Sequence, residues 1–295
     1  MFENILVPLD GSSLAERALP PAATIATATQ GSLTLLRVVP QFALLAADPT
    51  LYEEMNRMGE DESLSYLRSV IEEMDLTVPI RFIGETGNPA DVIIRVAEAE
   101  NIDLILMSSH GRSGVNRWVY GSVAERVLRR SPCTTAILNA RAGRHLPENP
   151  KILIPLDGSD LAEKALSPAK TLAKAINGEL HLLQVTPSAH QMLETRTMKP
   201  VFDGIEEKEV ENALEYLQEV AAASSEHKVH VTAQIEKANV AENIIEYAAQ
   251  HDIDIIVMSS HGRTGLSRWV YGSVAEKVLR SACCTTMIIR HRQIQ

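Results

Sequence analysis

The chain repeats itself, and the repeat decides what it can fold into. Met107–Arg129 reads MSSHGRSGVNRWVYGSVAERVLR and Met258–Arg280 reads MSSHGRTGLSRWVYGSVAEKVLR. Of these 23 aligned positions four differ: Ser113/Thr264, Val115/Leu266, Asn116/Ser267 and Arg126/Lys277. A second pair, Ile5–Ser12 (ILVPLDGS) and Ile152–Ser159 (ILIPLDGS), opens each half. The early motifs are offset by 157 − 10 = 147 residues and the late ones by 258 − 107 = 151, so the copies differ in length by four residues between them. That difference must fall between Val39 and Ala90, and we expect it after Pro40. The repeat is far longer than the ~20–50 residues of a solenoid, and each copy is large enough to own a core. Two tandem domains are therefore expected, 1–142 and 150–295. The Gly- and Pro-containing junction Ala142–Pro150 serves as linker.

Within a copy, strand and helix patterns alternate. Ile5–Leu9 is a short apolar run suited to a buried strand, and Asp10-Gly11-Ser12 follows as a turn and helix cap. Leu14, Ala15, Ala18, Leu19, Ala22 and Ile25 recur at helical spacing, with a kink or break expected at Pro20 and Pro21. Ser32–Val39, Pro79–Gly84, Ile102–Met107 and Thr134–Asn139 read as strands. Leu51–Met74, Pro89–Ala99 and Ser122–Arg130 read as helices. Such alternation implies an α/β fold: in each copy a doubly wound, five-stranded parallel sheet of order 3-2-1-4-5 with helices on both faces. Pro8 and Pro155, near the ends of the first strands, are in tension with a central position, because proline lacks the N–H of a ladder bond. Ligands of such sheets bind at the carboxyl ends of the strands near the switch point. That rule singles out Asp10-Gly11 and the Ser108–Gly121 loop.

Composition narrows the function. The 295 residues carry 28 basic and 38 acidic side chains, a net charge of −10. Sequence-independent nucleic-acid binding and docking on anionic lipid both need clustered Lys and Arg, so neither is expected. No apolar run reaches the ~18 residues of a membrane span, and Met1–Ile5 lacks the features of a signal peptide. Three cysteines, Cys133, Cys283 and Cys284, with no CxxC, are neither a disulfide framework nor a zinc site. A cytoplasmic setting is expected. Aromatic residues make up only 4%, so the cores must be aliphatic.

The loop from Ser108 to Ser122 carries the candidate chemistry. A strand ends, a glycine-containing loop follows, and a helix starts at Gly121-Ser122. Its free N–H groups and positive dipole end suit a phosphate, and glycine lets backbone approach an anion. Ser122 offers a hydroxyl; Arg112 adds charge or is solvated. There is no GxxxxGK[ST] and no GxGxxG, so neither a P-loop nor an NAD fingerprint is present.

On ILVPLDGS, MSSHGR[S/T]G and YGSVAE[R/K]VLR the whole chain resembles the universal stress protein family in its tandem form, with the Rossmann-like, adenine nucleotide alpha hydrolase-like fold. ATP-binding members of that family show Gly-x-x-Gly, nine residues, then Gly-Ser or Gly-Thr. Gly111 and Gly121 with Ser122 keep that spacing, and Gly262, Gly272 and Ser273 repeat it. Ser108 and Ser259 depart from it at the first glycine. The resemblance implies a nucleotide site made by Asp10, Val38, Gly87, Ser108, His110, Gly111, Arg112, Gly114, Gly121, Ser122 and Val123. In the second copy it comprises Asp157, Val185, Ser259, His261, Gly262, Arg263, Gly265, Gly272, Ser273 and Val274. It puts Asp10 and Asp157 against adenosine and the Val38 and Val185 backbones at adenine. Ala238 and Val240 replace Gly87 and Pro89, so the two copies need not bind equally.

The leading expectation is a cytoplasmic stress regulator. It would bind an adenine nucleotide, ATP with Mg²⁺ foremost, and associate with itself or a regulatory partner in a nucleotide-dependent way. The resemblance also implies an intramolecular pseudo-dimer, with Thr134–Asn139 and Thr285–Arg290 as its candidate edges, and a homodimer of chains. A nucleotide-independent interaction protein and a slow ATP hydrolase are the alternatives. Asp10 is alternatively a turn residue only. No catalytic set is visible, because His110 reads as a packing residue without a nucleophile and an orienting partner. No metal site is assigned: His227-x-x-His230 is a strand-edge pair with no third ligand in view.

Overall fold

The computed structural model of the chain describes residues 1–40, 49–72, 74, 76–109, 121–139, 142, 145–186, 188, 199–223, 228–235, 239–259 and 272–290. They fall into two compact units, Met1–Leu146 together with Arg290, and Pro147–Ile289.

The first unit runs β1 (Asn4–Leu9), α1 (Ser13–Glu16), α2 (Leu19–Ala28), β2 (Ser32–Val39), α3 (Pro49–Glu72), β3 (Ile80–Thr86), α4 (Pro89–Ala99), β4 (Leu104–Ser108), α5 (Ser122–Arg130) and β5 (Thr134–Leu138). Its strands lie in the order β3-β2-β1-β4-β5, every neighbouring pair parallel. This is the doubly wound order expected from the alternation of patterns. β4 and β5 are buried along their whole length, as strands covered on both faces must be. Arg37 on β2 lies 4.4 Å over the Tyr66 ring of α3, and the Tyr66 hydroxyl donates to Glu16 of α1 at 2.7 Å. α1 and α3 therefore share one face. α4 and α5 pack on each other over the other.

The prolines fit by position. The break expected at Pro20-Pro21 falls one turn earlier, between α1 and α2, and Ala18 is the N-cap of α2. Both prolines then occupy the first turn, where a missing N–H removes no helical bond. Pro8 pairs with Leu36 of β2, but the β1–β4 pairing ends at Leu6↔Ile105. Beyond Leu6 the two central strands part, which removes the conflict over Pro8 and opens the carboxyl edge at the switch point.

The second unit repeats the plan: β6 (Lys151–Leu156), α6 (Asp160–Glu163), α7 (Leu166–Ala175), β7 (Glu179–Thr186), α8 (Lys199–Ala222), β8 (Val229–Ile235), α9 (Val240–Gln250), β9 (Ile255–Ser259), α10 (Ser273–Ser281) and β10 (Thr285–Ile289). Its order is β10-β9-β6-β7-β8. Its β6–β9 pairing also stops early, at Leu153↔Ile256, short of Pro155. The element starts locate the length difference. The offset is 179 − 32 = 147 at the second strand, 199 − 49 = 150 at the long helix, 229 − 80 = 149 at the next strand and 240 − 89 = 151 at the helix after it. The second unit gains three residues between the second strand and the long helix, loses one before the third strand and gains two after it, a net four. The two lengthened connections leave the carboxyl edge. The cores are aliphatic as expected, and among the largest fully buried side chains only Phe2 and Tyr247 are aromatic.

Candidate functional site

In the first unit a cavity of about 320 Å³ opens where β1 and β4 part. Its floor is apolar: Leu9, Leu36, Val38, Ile93 and Met107. Its rim is polar and comes from two chain turns, Asp10 after β1 and Ser108, Ser109, Gly121 and Ser122 between β4 and α5. An apolar cleft with a few convergent polar groups is the usual form of a small-molecule site, and ~300–1,000 Å³ its usual size.

Each rim is built by local chemistry. Gly11 adopts φ +84, which turns the chain sharply after Asp10. The Asp10 Oδ1 accepts from the Ser12 amide at 3.0 Å and from the Ser12 hydroxyl at 2.6 Å. Ser12 Oγ in turn accepts from the Ala15 amide at 3.2 Å and caps α1. Asp10 thus fixes the turn and lines the cavity as well. On the opposite rim Gly121 is the N-cap of α5 and supplies no side-chain cap. The N-terminal turn Gly121–Ala124 lines the cavity, bringing the positive end of the helix dipole to it.

The residues expected at the site divide into three groups. Asp10, Val38, Ser108, Gly121, Ser122 and Val123 come together around the cavity. Gly87 is not among the lining residues, although Pro89 two residues on is; it has φ +146, with its amide donating to the Val39 carbonyl at 3.0 Å. His110, Gly111, Arg112 and Gly114 lie outside the described residues, as do His261, Gly262, Arg263 and Gly265. Pro40 and Met107 line the cavity without having been assigned to it, and Ser109 was named only as part of the Ser108–Gly121 loop. Pattern alone could have found Ser109 and Met107, since both stand next to Ser108 at a strand end.

The second unit keeps the same local geometry at its described positions. Asp157 Oδ1 accepts from the Ser159 amide at 3.0 Å and its hydroxyl at 2.6 Å. Gly272, like Gly121, is an N-cap with no side-chain cap, at φ −56 and ψ 146. Ser273 and Val274 open α10, Ser259 ends β9, and Val185 lies near the end of β7. All of these stand at the carboxyl edge of their sheet.

A second cluster lies at the opposite end of the second unit's strands. His181 is buried in β7 and pairs in register with His230 of β8. Their rings stack at 4.6 Å. His230 Nε2 stands 3.3 Å from Glu179 Oε2, and Lys228 donates to the other Glu179 oxygen at 2.6 Å. That ammonium holds the Glu179 carboxyl below the usual carboxylate range. Burial pushes His181 down to about 4, which leaves it neutral at pH 7. From sequence His230 was paired only with His227, which lies outside the described residues. Its actual neighbour is 49 residues away in sequence (230 − 181), and only the strand register brings the two together.

Among the described residues no helix is long and apolar enough to cross a membrane. Comparison with known proteins is consistent across the chain. The profile of the universal stress protein family matches twice, at residues 1–139 and 148–290. A universal stress protein of Methanocaldococcus jannaschii is 32% identical over 159 residues, covering 52% of this chain and 89% of the relative. One from Mycolicibacterium smegmatis is 25% identical over 301 residues, covering 98% of this chain and 97% of that protein. The crystal structure of a universal stress protein from Archaeoglobus fulgidus shares the fold along the whole length, with a TM-score of 0.70 at 22% identity and 99% of each chain covered. Two matches to one family profile, on two units of one topology, make this chain a member of the universal stress protein family with two tandem domains.

Proposed function

We propose that the chain is a cytoplasmic stress regulator that binds an adenine nucleotide, ATP foremost, at the carboxyl edge of its first unit. The observation that carries this reading is the cavity between Asp10 and the N-terminus of α5. An apolar floor of Leu36, Val38 and Ile93 suits a planar base, and an uncapped helix N-terminus suits phosphate oxygens. The net charge of −10 opposes an anionic ligand at long range, so binding rests on these local dipoles. Ser122 offers a hydroxyl to the same oxygens. Mg²⁺ would enter with the nucleotide, as a counter-charge on its phosphates. The second unit carries the same turn and the same helix start, but its β8–α9 connection is longer and Val240 stands in place of Pro89. It would bind the same class of ligand with different affinity. Occupancy would bias association with itself or with a partner.

The test is direct. Purified protein is denatured and the released small molecules are identified by mass spectrometry. The emptied protein is then titrated with ATP, AMP and cyclic nucleotides. Binding by the folded wild type that weakens in Ser122→Ala supports the reading. Absence of binding to any of them, with the fold intact, overturns it in favour of a nucleotide-independent interaction protein, the reading to which Ser108 and Ser259 lend weight. Phosphate release under saturating Mg-ATP, compared with a Gly121→Val/Ser122→Ala variant, separates binding from slow hydrolysis.

A further inference from the structure

We infer that the second unit holds a divalent transition-metal site formed by Glu179, His181 and His230, at the amino ends of β7 and β8. One ligand atom from each of the three lies within 4.8 Å of the others. His230 Nε2 and Glu179 Oε2 stand 3.3 Å apart, which is the spacing of two ligands held at ~2.0 Å in a tetrahedron. His181 supplies the independent observation. It is 4% exposed. Its Nδ1 lies 3.1 Å from the Tyr247 hydroxyl, while its Nε2 is buried with no hydrogen-bond partner among the described residues. A buried imidazole nitrogen without a partner is costly, and a metal ion removes that cost. Tyr247 then orients the ring through the other nitrogen, as outer-shell partners of metal-bound histidines do.

The rest of the cluster permits closure. β8 is the edge strand of its unit, and His230 and Glu179 are part-exposed, at 44% and 23%. His230 stacks on His181 at 4.6 Å, and closure takes it out of that stack, a rotation its exposure permits, while Glu179 turns with it toward the fixed His181. Lys228 binds Glu179 through Oε1, so Oε2 remains the metal-facing oxygen. Two imidazoles and one carboxylate suit Zn²⁺, with a fourth position left for water.

The duplicated chain provides an internal control. At the corresponding places the first unit has Ser32, Thr34 and Arg81, with Thr34 and Arg81 in register as His181 and His230 are. There Arg81 pairs with Glu100. The same fold thus forms without the triad, so packing alone does not require it. The site lies at the opposite end of the strands from the nucleotide cavity and does not depend on that cavity's assignment.

The experiment uses the full chain stripped of metal, with Zn²⁺ alone as probe and Co²⁺ as spectroscopic reporter, in the absence of nucleotide. We expect one Zn²⁺ per chain and a visible Co²⁺ band. Zn²⁺ affinity should fall at least about tenfold in His230→Ala and in Glu179→Gln, both surface changes that leave the circular dichroism unaltered. His181→Gln, where it folds, should abolish the Co²⁺ band. Equal Zn²⁺ affinity in wild type and the Glu179→Gln/His230→Ala double variant overturns the site, as does retention of the band in folded His181→Gln.

Discussion

The Gly121 amide donates to the Ser109 carbonyl at 3.1 Å, and the Ser109 amide donates to the Leu138 carbonyl at 2.9 Å. The chain therefore leaves β4 and re-enters at α5 at one point, which is clamped to β5. Gly121 has φ −56 and ψ 144, a conformation open to any residue. Among the described residues a Cβ there would meet nothing closer than the Ser109 oxygen at 3.8 Å.

Among the described residues nothing blocks a side chain at 121, so on the proposed reading its glycine serves the ligand that approaches it. We expect Gly121→Ala to cost only about 0.5 kcal/mol of stability, the loss of a glycine N-cap, and to weaken nucleotide binding about tenfold, or ~1.4 kcal/mol. Gly87 is the opposite case. At φ +146 a side chain is strained, and its Cβ would stand 3.0 Å from Val92. Gly87→Ala should lower stability by about 1–3 kcal/mol, measured by chemical denaturation. Equal stability losses in the two variants would remove the distinction.

Thiol chemistry offers an independent check on the packing. Cys283 is exposed, whereas Cys133 and Cys284 are buried. Burial pushes the Cys284 thiol up to about 12, and only the thiolate reacts. Native protein should therefore present one fast thiol to an aromatic disulfide reagent, and the other two only after unfolding. Cys283→Ser should remove the fast phase, and a fast phase surviving that change would contradict the burial pattern.

Most of the fold could be read from residues because its signals are local. Ser32–Val39, Pro89–Ala99 and Ser122–Arg130 form the elements expected at the bounds expected, each marked by apolar periodicity and by a flanking glycine, asparagine or proline. The strand order was read from the alternation of five strands with helices. Half of the site was equally readable: Asp10 and Gly121-Ser122 stand where a strand ends and a helix begins. What escaped was set by register. His181 and His230 meet only because β7 and β8 pair with those two residues opposed, and no period within either segment reports that. The position of the α1–α2 break escaped for a related reason. Proline signals a break nearby, but its preference for a helix's first turn moves the break ahead of it.

Two glycines on the long helices' side of each sheet should respond in opposite directions. Gly84 on β3 lies under α3, where an added Cβ would stand 2.8 Å from the Glu60 carbonyl oxygen and 3.0 Å from Ser63 Cβ. A backbone atom cannot yield as a side chain does, so Gly84→Ala should destabilise by about 1–3 kcal/mol. Gly204 lies in α8, and among the described residues nothing stands within 4 Å of an added Cβ. There alanine only reduces the entropy lost on forming the helix, and Gly204→Ala should stabilise by about 0.5–1 kcal/mol. Urea denaturation of both variants decides the signs.

The long helices also set an alkaline limit. Tyr66 donates to Glu16 at 2.7 Å and Tyr216 donates to Glu163 at 2.8 Å, the same bond in each unit. Burial raises both phenols above the usual tyrosine value of 10.0, and the bond to a carboxylate raises them further, since a phenolate there would face a negative charge. Below pH 10 both states hold the proton and the contribution is complete. As pH rises through 10 the unfolded chain releases these protons while the folded chain keeps them. The folded state then binds more protons, and stability falls with pH. We expect stability to decline above pH 10, with part of the tyrosinate absorbance appearing only as the protein unfolds. The Tyr66→Phe/Tyr216→Phe variant loses about 1 kcal/mol per hydrogen bond at neutral pH but should show a shallower alkaline decline. An unchanged slope in that variant would assign the decline to other groups.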